Sequence, residues 1–264
     1  MQMVKPLRFL PGVLAAAVVC LVPAHPSAGG RATGGPILVS AAASLTDALT
    51  AIAHQYESTT GDTVTLNFGP SSGLARQIVN GAPVDVFLSA DEAQMDFVAK
   101  AGLLKAGTRV DLLANQLVVV MPAGRAHPLS SPRDLTAASF RRIALADPAA
   151  VPAGVYAREY LQALGLWTAI QPKVVPTLDV RAALAAVDSG NADAAFVYRT
   201  DAAIGHRAAI VFSIPVTEGP RIRYPAAVVS DAPHPAAAVA FLAFLRGPQA
   251  RAVFEHYGFI VASR

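Results

Sequence analysis

The sequence predicts an α/β fold, and three observations carry that prediction. Short β-rich runs alternate with segments of helical periodicity along most of the chain. Several of these runs are apolar throughout, which is typical of strands covered on both faces. Hydrophobic residues make up 53% of the 264 residues and charged residues only 15%, so the chain can bury a substantial core.

Nine short β-rich runs are predicted as strands. They cover residues 37–41, 64–68, 84–88, 116–120, 143–146, 173–175, 194–198, 210–212 and 226–229. The sequence contains no internal repeat and no long flexible linker, so two lobes would have to be joined through ordered segments. Residues 116–122 and 224–229 are the candidate crossovers.

A helix is predicted after the first strand. From Ser44 to Tyr56, apolar residues recur three and four positions apart, and Gly61 then ends the segment. Two more helices are predicted near the C-terminus. The first covers residues 236–245 and ends at Gly247, and the second runs from Pro248 to Gly258.

The N-terminal residues are predicted to form a secretion signal. Lys5 and Arg8 precede a mostly apolar run over residues 10–22, which is too short to span a bilayer comfortably. Small residues follow, so residues 1–24 are interpreted as a signal peptide, with cleavage after Ala24 or Ala28. Residues 25–35, rich in Gly, Pro and Ser, are expected to form a disordered lead-in.

Removal of the signal would change the charge and the chemistry of the chain. The signal contains two basic residues and no acidic ones, so the formal charge would fall from +3 by two, to +1. A nearly neutral chain is a poor nucleic-acid binder. The one cysteine, Cys20, lies inside the signal, and the bulky Val19 before it disfavours lipid attachment. The mature chain would have no disulfide and no cysteine-bound metal.

Four segments each place the start of a helix directly after a strand: residues 41–47, 69–76, 147–156 and 177–181. A helix start carries N–H groups without partners and a partial positive charge, so it can hold an anion without any cationic side chain. Ligands of open α/β sheets lie at the carboxyl ends of strands, where these segments occur. Their co-occurrence therefore favours an oxyanion site.

Each of these features also has a purely structural interpretation. The alternatives are a capping pair of Ser44 with Asp47, Pro152 as an ordinary first helical residue ahead of Ala153, Asp179 as the N-cap of the helix at Val180, and simple packing of Tyr198. No single segment decides between capping and ligand binding.

A different class of function is indicated by the sequence GPSSG at residues 69–73. It matches the G-x-S-x-G nucleophile elbow and lies between a strand and a helix, which makes Ser71 a candidate hydrolase nucleophile. Asp193 is a candidate acid, and His234 or His256 a candidate base. Against this hypothesis, no His-Gly-Gly segment precedes Ser71, and His234 lies between two prolines.

The chain resembles the family of periplasmic molybdate-binding proteins of ABC transporters. The matching stretches, in family order, are 41–48 (AAASLTDA), 74–78 (LARQI), 81–91 (GAPVDVFLSAD), 117–122 (LVVVMP), 147–161 (DPAAVPAGVYAREYL), 180–184 (VRAAL), 196–202 (FVYRTDA) and 247–259 (GPQARAVFEHYGF). They extend from about residue 36 to the end of the chain.

The resemblance implies a two-lobed periplasmic-binding-protein fold of type II. Each lobe would be a mixed sheet flanked by helices, with residues 36–118 and 227–264 in the first lobe and residues 119–226 in the second. The ligand would lie in the interlobe cleft. The resemblance also implies a non-catalytic protein of the periplasm, expected to be monomeric, that delivers molybdate, and tungstate as well, to an ABC transporter permease in the inner membrane.

Five ligand-binding residues follow from the resemblance. They are the hydroxyls of Ser44, Ser71 and Tyr198 and the backbone N–H groups of Ala153 and Val180. The run of small residues here is Gly-Pro-Ser-Ser-Gly, where relatives often have serines, so Ser72 is an alternative to Ser71. Molybdenum would be bound only as the oxyanion, without protein ligands to the metal and without a cofactor.

A shell composed of donors suits an anion that carries no proton. Phosphate keeps a proton near neutral pH and would need an acceptor, whereas molybdate, tungstate and sulfate need only donors. An inward-turned Asp179 would change this preference. A sulfate-type binder therefore stays an alternative, since sulfate differs from molybdate mainly in size.

Overall fold

The computed structural model describes residues 1–3 and 35–261. The predicted signal peptide and lead-in therefore lie almost entirely outside the described residues. Within the described ranges the strands are β1 Ile37–Ala42, β2 Val64–Gly69, β3 Val86–Leu88, β4 Val110–Asn115, β5 Leu117–Pro122, β6 Ile143–Ala146, β7 Val174–Thr177, β8 Ala194–Tyr198, β9 Ala208–Ser213, β10 Ile222–Val228 and β11 Ile260–Val261. The helices are α1 Thr46–Thr60, α2 Ser71–Val79, α3 Glu92–Lys100, α4 Pro152–Ala163, α5 Trp167–Ile170, α6 Val180–Asp188, α7 Arg199–Ile204, α8 Pro235–Leu245 and α9 Pro248–His256.

The strands form two mixed sheets, one in each lobe, which confirms the predicted fold class. The first sheet has the order β11-β4-β10-β3-β1-β2 and the second the order β7-β6-β8-β5-β9. In the first sheet β1 runs parallel to β2 and β3. In the second, β6 runs parallel to β7 and β8. The central strands β6 and β8 are buried along their whole length, as their apolar sequences predict.

The chain crosses between the sheets at Gln116 and again between Ser213 and Ile222. The sheet pairing therefore differs from the predicted boundaries. Leu117 belongs to the second sheet, and residues 222–226, predicted for the second lobe, pair in the first. The strand predicted from Ala226 begins at Ile222 in the structure and so contains Pro225. Pro225 lies at a register shift of β10, where a strand tolerates a residue without an N–H group.

Helix α1 buries the apolar residues that the sequence periodicity predicts. Its buried residues are Ala48, Leu49, Ile52, Ala53 and Tyr56, the stripe expected from the sequence. Gly61 ends the helix with a left-handed φ of 78°. The α-helix begins at Thr46, because residues Ala43–Leu45 form a 3₁₀ turn that includes Ser44.

Some elements differ from the prediction. Strands β4 and β11 were missed, because β4 contains Asp111 and Asn115, residue types depleted in strands, and β11 has only two residues. Gly247 was predicted to end α8, but it has an extended backbone and forms the N-cap of α9.

Among the described residues, no helix combines the length and the apolar character required to cross a bilayer.

Candidate oxyanion site between the lobes

A small cavity lies where the two lobes meet, at the carboxyl ends of strands from both sheets. Its lining consists of Ala42, Ala43, Ser44, Gly69, Pro70, Ser71, Ala90, Val151, Pro152, Ala153, Asp179, Val180 and Tyr198. The volume is about 20 Å³, far below the roughly 300–1,000 Å³ of pockets for drug-sized ligands. The cavity therefore suits a ligand of only a few atoms.

All five residues predicted to bind ligand line this cavity. Ser44 lies in the turn before α1, and Ser71 is the first residue of α2. Ala153 and Val180 lie in the first turns of α4 and α6, where backbone N–H groups have no acceptor within the helix. The helix starts of both lobes thus converge on one point, and their dipoles make that point favourable for an anion.

The three hydroxyls of the site have different partners. Ser44 Oγ lies 3.0 Å from Tyr224 OH, and Ser71 Oγ accepts a hydrogen bond from the Ala90 N–H at 3.0 Å. The Tyr198 hydroxyl has no hydrogen-bond partner in the described part of the chain, although Tyr198 is only 1% exposed. Burial raises the pKa of the Tyr198 phenol well above its ordinary value, so it stays a neutral donor.

Tyr198 is the clearest indication of a ligand. A buried polar atom without a partner costs about 1–3 kcal/mol unless something else satisfies it. The phenol occupies the end of β8 at the edge of the cavity, where an oxyanion would accept its hydrogen bond. Simple packing of Tyr198, the structural alternative, leaves this hydroxyl unexplained.

The structure separates capping from ligand-facing roles at two further positions. Ser44 makes no capping hydrogen bond, and its expected partner Asp47 pairs with Arg181 instead. Asp179 does cap α6, because its carboxylate accepts the Ala182 N–H at 2.9 Å. One oxygen of the Asp179 carboxylate is therefore engaged as a helix cap, and the hydroxyls and helix-start N–H groups that line the cavity beside it are donors.

The geometry gives no support to the hydrolase hypothesis. His234 Nδ1 lies 2.9 Å from the buried Asp85, and Asp193 accepts the N–H groups of Arg141 and Arg142. Neither group contacts Ser71, whose hydroxyl hydrogen-bonds only to a backbone N–H among the described residues. His256 lines a surface groove between α1 and α9.

Ser71 and Ser72 differ in their position relative to the cavity. Both side chains are buried, but only Ser71 lines the cavity. The Ser72 hydroxyl has no hydrogen-bond partner among the described residues and belongs to the same first turn of α2.

Beside the cavity, Arg181 joins the two lobes. From α6 it donates to Asp47 Oδ2 of α1 at 2.7 Å and approaches the Ser44 carbonyl at 3.3 Å. Its Nε lies 2.5 Å from the fully buried Asp201. Burial raises the pKa of the Asp201 carboxyl to about 6, although the guanidinium of Arg181 acts to lower it.

Sequence reasoning had not assigned a role to Arg181, Asp201, Asn115 or Tyr224. Arg181 directly follows the predicted contact Val180, and Asp201 lies three residues after Tyr198. Arg181, Asn115 and Tyr224 each contact a residue more than 100 positions away, as Arg181 contacts Asp47, and Asp201 pairs with Arg181. No local pattern of the sequence signals such a contact.

The chain is similar to known proteins along most of its length. The family model of bacterial extracellular solute-binding proteins matches residues 37–260. The molybdate-binding protein ModA of Escherichia coli (strain K12) is 41% identical over 236 residues, which cover 86% of this chain and 90% of that protein. ModA of Mycobacterium tuberculosis (strain H37Rv) is 37% identical over 238 residues, covering 90% and 87%.

Solved structures of binding proteins are also similar to this chain. The periplasmic molybdate-binding protein of Azotobacter vinelandii superposes with a TM-score of 0.78 at 27% identity, covering 86% of this chain and 100% of that one. A sulfate-binding protein of Mycobacterium tuberculosis, 19% identical with a TM-score of 0.72 and coverage of 85% and 86%, shares the fold. The chain therefore belongs to the bacterial extracellular solute-binding protein family.

Proposed function

We propose that this protein binds molybdate, and tungstate as well, in the interlobe cavity and delivers it to an ABC importer. The observation that carries the proposal is the convergence of hydroxyl and backbone donors from both lobes on a cavity of about 20 Å³. The ligand contacts would be Ser44, Ser71, Ala153, Val180 and Tyr198. The relatives named as molybdate-binding proteins support the choice of anion.

The composition of the cavity supports a fully deprotonated oxyanion. None of the described residues that line it is Lys or Arg, so attraction would come from helix starts and neutral hydroxyls. All the oxygens of molybdate can accept from such donors, whereas a protonated phosphate would direct its own hydrogen at them.

The wider role follows from the family. We propose that the protein acts without catalysis and without a cofactor, as a monomer outside the cytoplasm. In a Gram-negative cell this place would be the periplasm, and the partner would be the permease of an ABC transporter in the inner membrane. No lipid anchor and no nucleic acid enter this proposal.

Thermal unfolding of the mature protein with a panel of anions tests the proposal. Molybdate and tungstate at about a thousand times their dissociation constants should add roughly 4 kcal/mol of stability, which corresponds to a rise in Tm of order 10 °C. Phosphate should produce no comparable rise. An equal rise in Tm with sulfate would show that the protein binds tetrahedral oxyanions in general. No rise in Tm with any anion would contradict the proposed function.

A further inference from the structure

A chain of buried hydrogen bonds lies behind the Ser44 hydroxyl. Tyr224 OH is 3.0 Å from Ser44 Oγ and 3.3 Å from Asn115 Nδ2, and the same Nδ2 donates to Thr200 Oγ1 at 2.9 Å. All four side chains are buried. Tyr224 and Asn115 do not line the cavity, so they would act on the ligand only through Ser44.

The donors and acceptors of this hydrogen-bond chain have a fixed direction, which the Asn115 amide sets. Asn115 Oδ1 accepts the Gln116 N–H at 2.9 Å, so the Nδ2 group faces Tyr224 as a donor. The Tyr224 oxygen therefore accepts, and its own hydrogen is left for Ser44 Oγ. Burial, helped by the nearby Asp201 carboxylate, raises the pKa of the Tyr224 phenol far above its ordinary value, so this hydrogen is retained.

Ser44 thus accepts from Tyr224, and its hydroxyl hydrogen is free to point into the cavity. Ser71 is in the same situation, because its Oγ accepts from the Ala90 N–H at 3.0 Å. In both serines the protein occupies an acceptor position of the oxygen and leaves the hydrogen for the ligand. Two unrelated partners, a side chain and a backbone group, have the same effect.

We propose that Asn115 and Tyr224 are specificity-determining residues that hold the Ser44 hydroxyl as a donor and so disfavour anions that carry a proton. The proposal rests on the proposed function, since it concerns the same cavity. At Ser44, a protonated phosphate would have to direct its hydrogen against the hydroxyl hydrogen or leave that hydrogen without an acceptor, and either outcome costs affinity.

Asn115→Asp is the sharpest test, because it reverses the direction of the chain with almost no change in shape. The carboxylate can still accept the Gln116 N–H, but it accepts the Tyr224 hydrogen instead of donating to the phenol. Tyr224 would then accept from Ser44, and Ser44 would present lone pairs to the cavity. We expect the ratio of molybdate to phosphate affinity, measured by calorimetry near pH 8, to fall about tenfold or more.

The affinity ratio is the appropriate readout, because an added negative charge repels both anions to a similar extent and largely cancels. Tyr224→Phe interrupts the chain and should lower the ratio by a smaller amount, roughly twofold to fivefold. In the double variant, Asn115→Asp should have no further effect, because the carboxylate can no longer reach Ser44 through the phenol. That loss of effect distinguishes an influence through the hydrogen-bond chain from a direct influence of the new carboxylate charge on the ligand.

Tyr56→Phe is the matched control. Tyr56 is also buried between aromatic rings and donates to Asp62, but it lies on α1 outside the cavity lining, so its removal should leave the ratio unchanged. If Asn115→Asp does not fold, Tyr224→Phe is the deciding variant. A wild-type ratio of molybdate to phosphate affinity in Tyr224→Phe then overturns the proposal. A wild-type ratio in both variants also overturns it, while the proposed function stands. Failure of the unaltered protein to bind molybdate overturns both.

Discussion

At the scale of single residues, the site depends on small polar side chains whose surroundings differ although their types do not. Ser71 and Ser72 are neighbours in the first turn of α2, and both are buried. Only Ser71 lines the cavity, and its oxygen already accepts a backbone N–H. The two serines therefore form a matched pair, in which one position faces the proposed ligand and the other does not.

We expect Ser71→Ala to weaken molybdate binding by roughly 1–3 kcal/mol, because a hydrogen bond to a charged ligand is lost. Ser72→Ala removes a hydroxyl from the same turn and should leave the affinity within a few tenths of a kcal/mol of the wild type. Calorimetric titration of both variants with molybdate measures the difference. Equal losses in the two variants, or none in Ser71→Ala, would remove Ser71 from the site.

Asp85 shows that a buried charge inside a recognisable sequence stretch can be purely structural. Its carboxylate accepts the backbone N–H groups of Leu38 and His234, at 2.8 and 2.6 Å, and contacts the His234 ring at 2.9 Å. These bonds tie the loop before α8 to the strands β1 and β3. They also explain why His234, a candidate catalytic base on the sequence, is not available to Ser71.

At the scale of elements, the position of the Ala153 N–H depends on how closely α4 approaches β6. A Cβ atom built on Gly154 would lie 1.8 Å from the Ala146 carbonyl oxygen and 2.9 Å from the Asp147 carbonyl carbon. Both obstacles are backbone atoms, so no side-chain movement relieves the clash. Gly154 therefore permits the contact that places the start of α4 at the cavity.

We expect Gly154→Ala to push α4 away from β6, with a loss of stability of roughly 1–3 kcal/mol and a larger loss of molybdate affinity. Gly124→Ala is the control, because a Cβ there meets no atom within 4 Å and its backbone requires no positive φ. Thermal unfolding with and without molybdate separates the two effects. An unchanged Tm and affinity for Gly154→Ala would show that the close approach is not required.

The elements were predictable wherever a local pattern decides them, and less so elsewhere. The apolar stripe of α1, the strand of residues 143–146 and the turns with positive φ at Gly61 and Gly258 all follow from sequence spacing. The convergence of helix starts was expected from the strand-to-helix transitions. The partners of these groups were not, because Ser44 and Tyr224 are 180 residues apart. Side-chain pairing over such distances depends on the assembled sheets, which no window of the sequence contains.

At the scale of the whole molecule, both crossovers lie close to the residues proposed to set specificity. Asn115 ends β4 directly before the first crossover at Gln116, and Tyr224 follows the second crossover within β10. Asn115 also contacts Thr200 in the second lobe. A movement of one lobe against the other would therefore alter the hydrogen-bond chain behind Ser44 as well as the cavity itself.

The ion pair between Arg181 and Asp47 connects the lobes at the edge of the cavity. The two side chains are 24% and 40% exposed, so the pair should be worth roughly 0.2–1 kcal/mol and should weaken as salt is added. Asp201 holds the same guanidinium from inside the second lobe. Arg181 is thus anchored in one lobe and reaches across to the other, and the pair stabilises only the arrangement in which the lobes meet.

Asp47→Asn should therefore speed the release of molybdate, with a dissociation rate constant about two- to fivefold higher, because the arrangement in which the lobes meet loses one of its contacts. Removal of a carboxylate near an anion site also favours association, but that effect changes the association rate instead. Stopped-flow measurement at low and high salt separates the two. Asp96→Asn is the control, because Asp96 pairs with Arg109 inside the first lobe at similar exposure. Matching dissociation rates in the two variants would show that the contact between Arg181 and Asp47 does not retain the ligand.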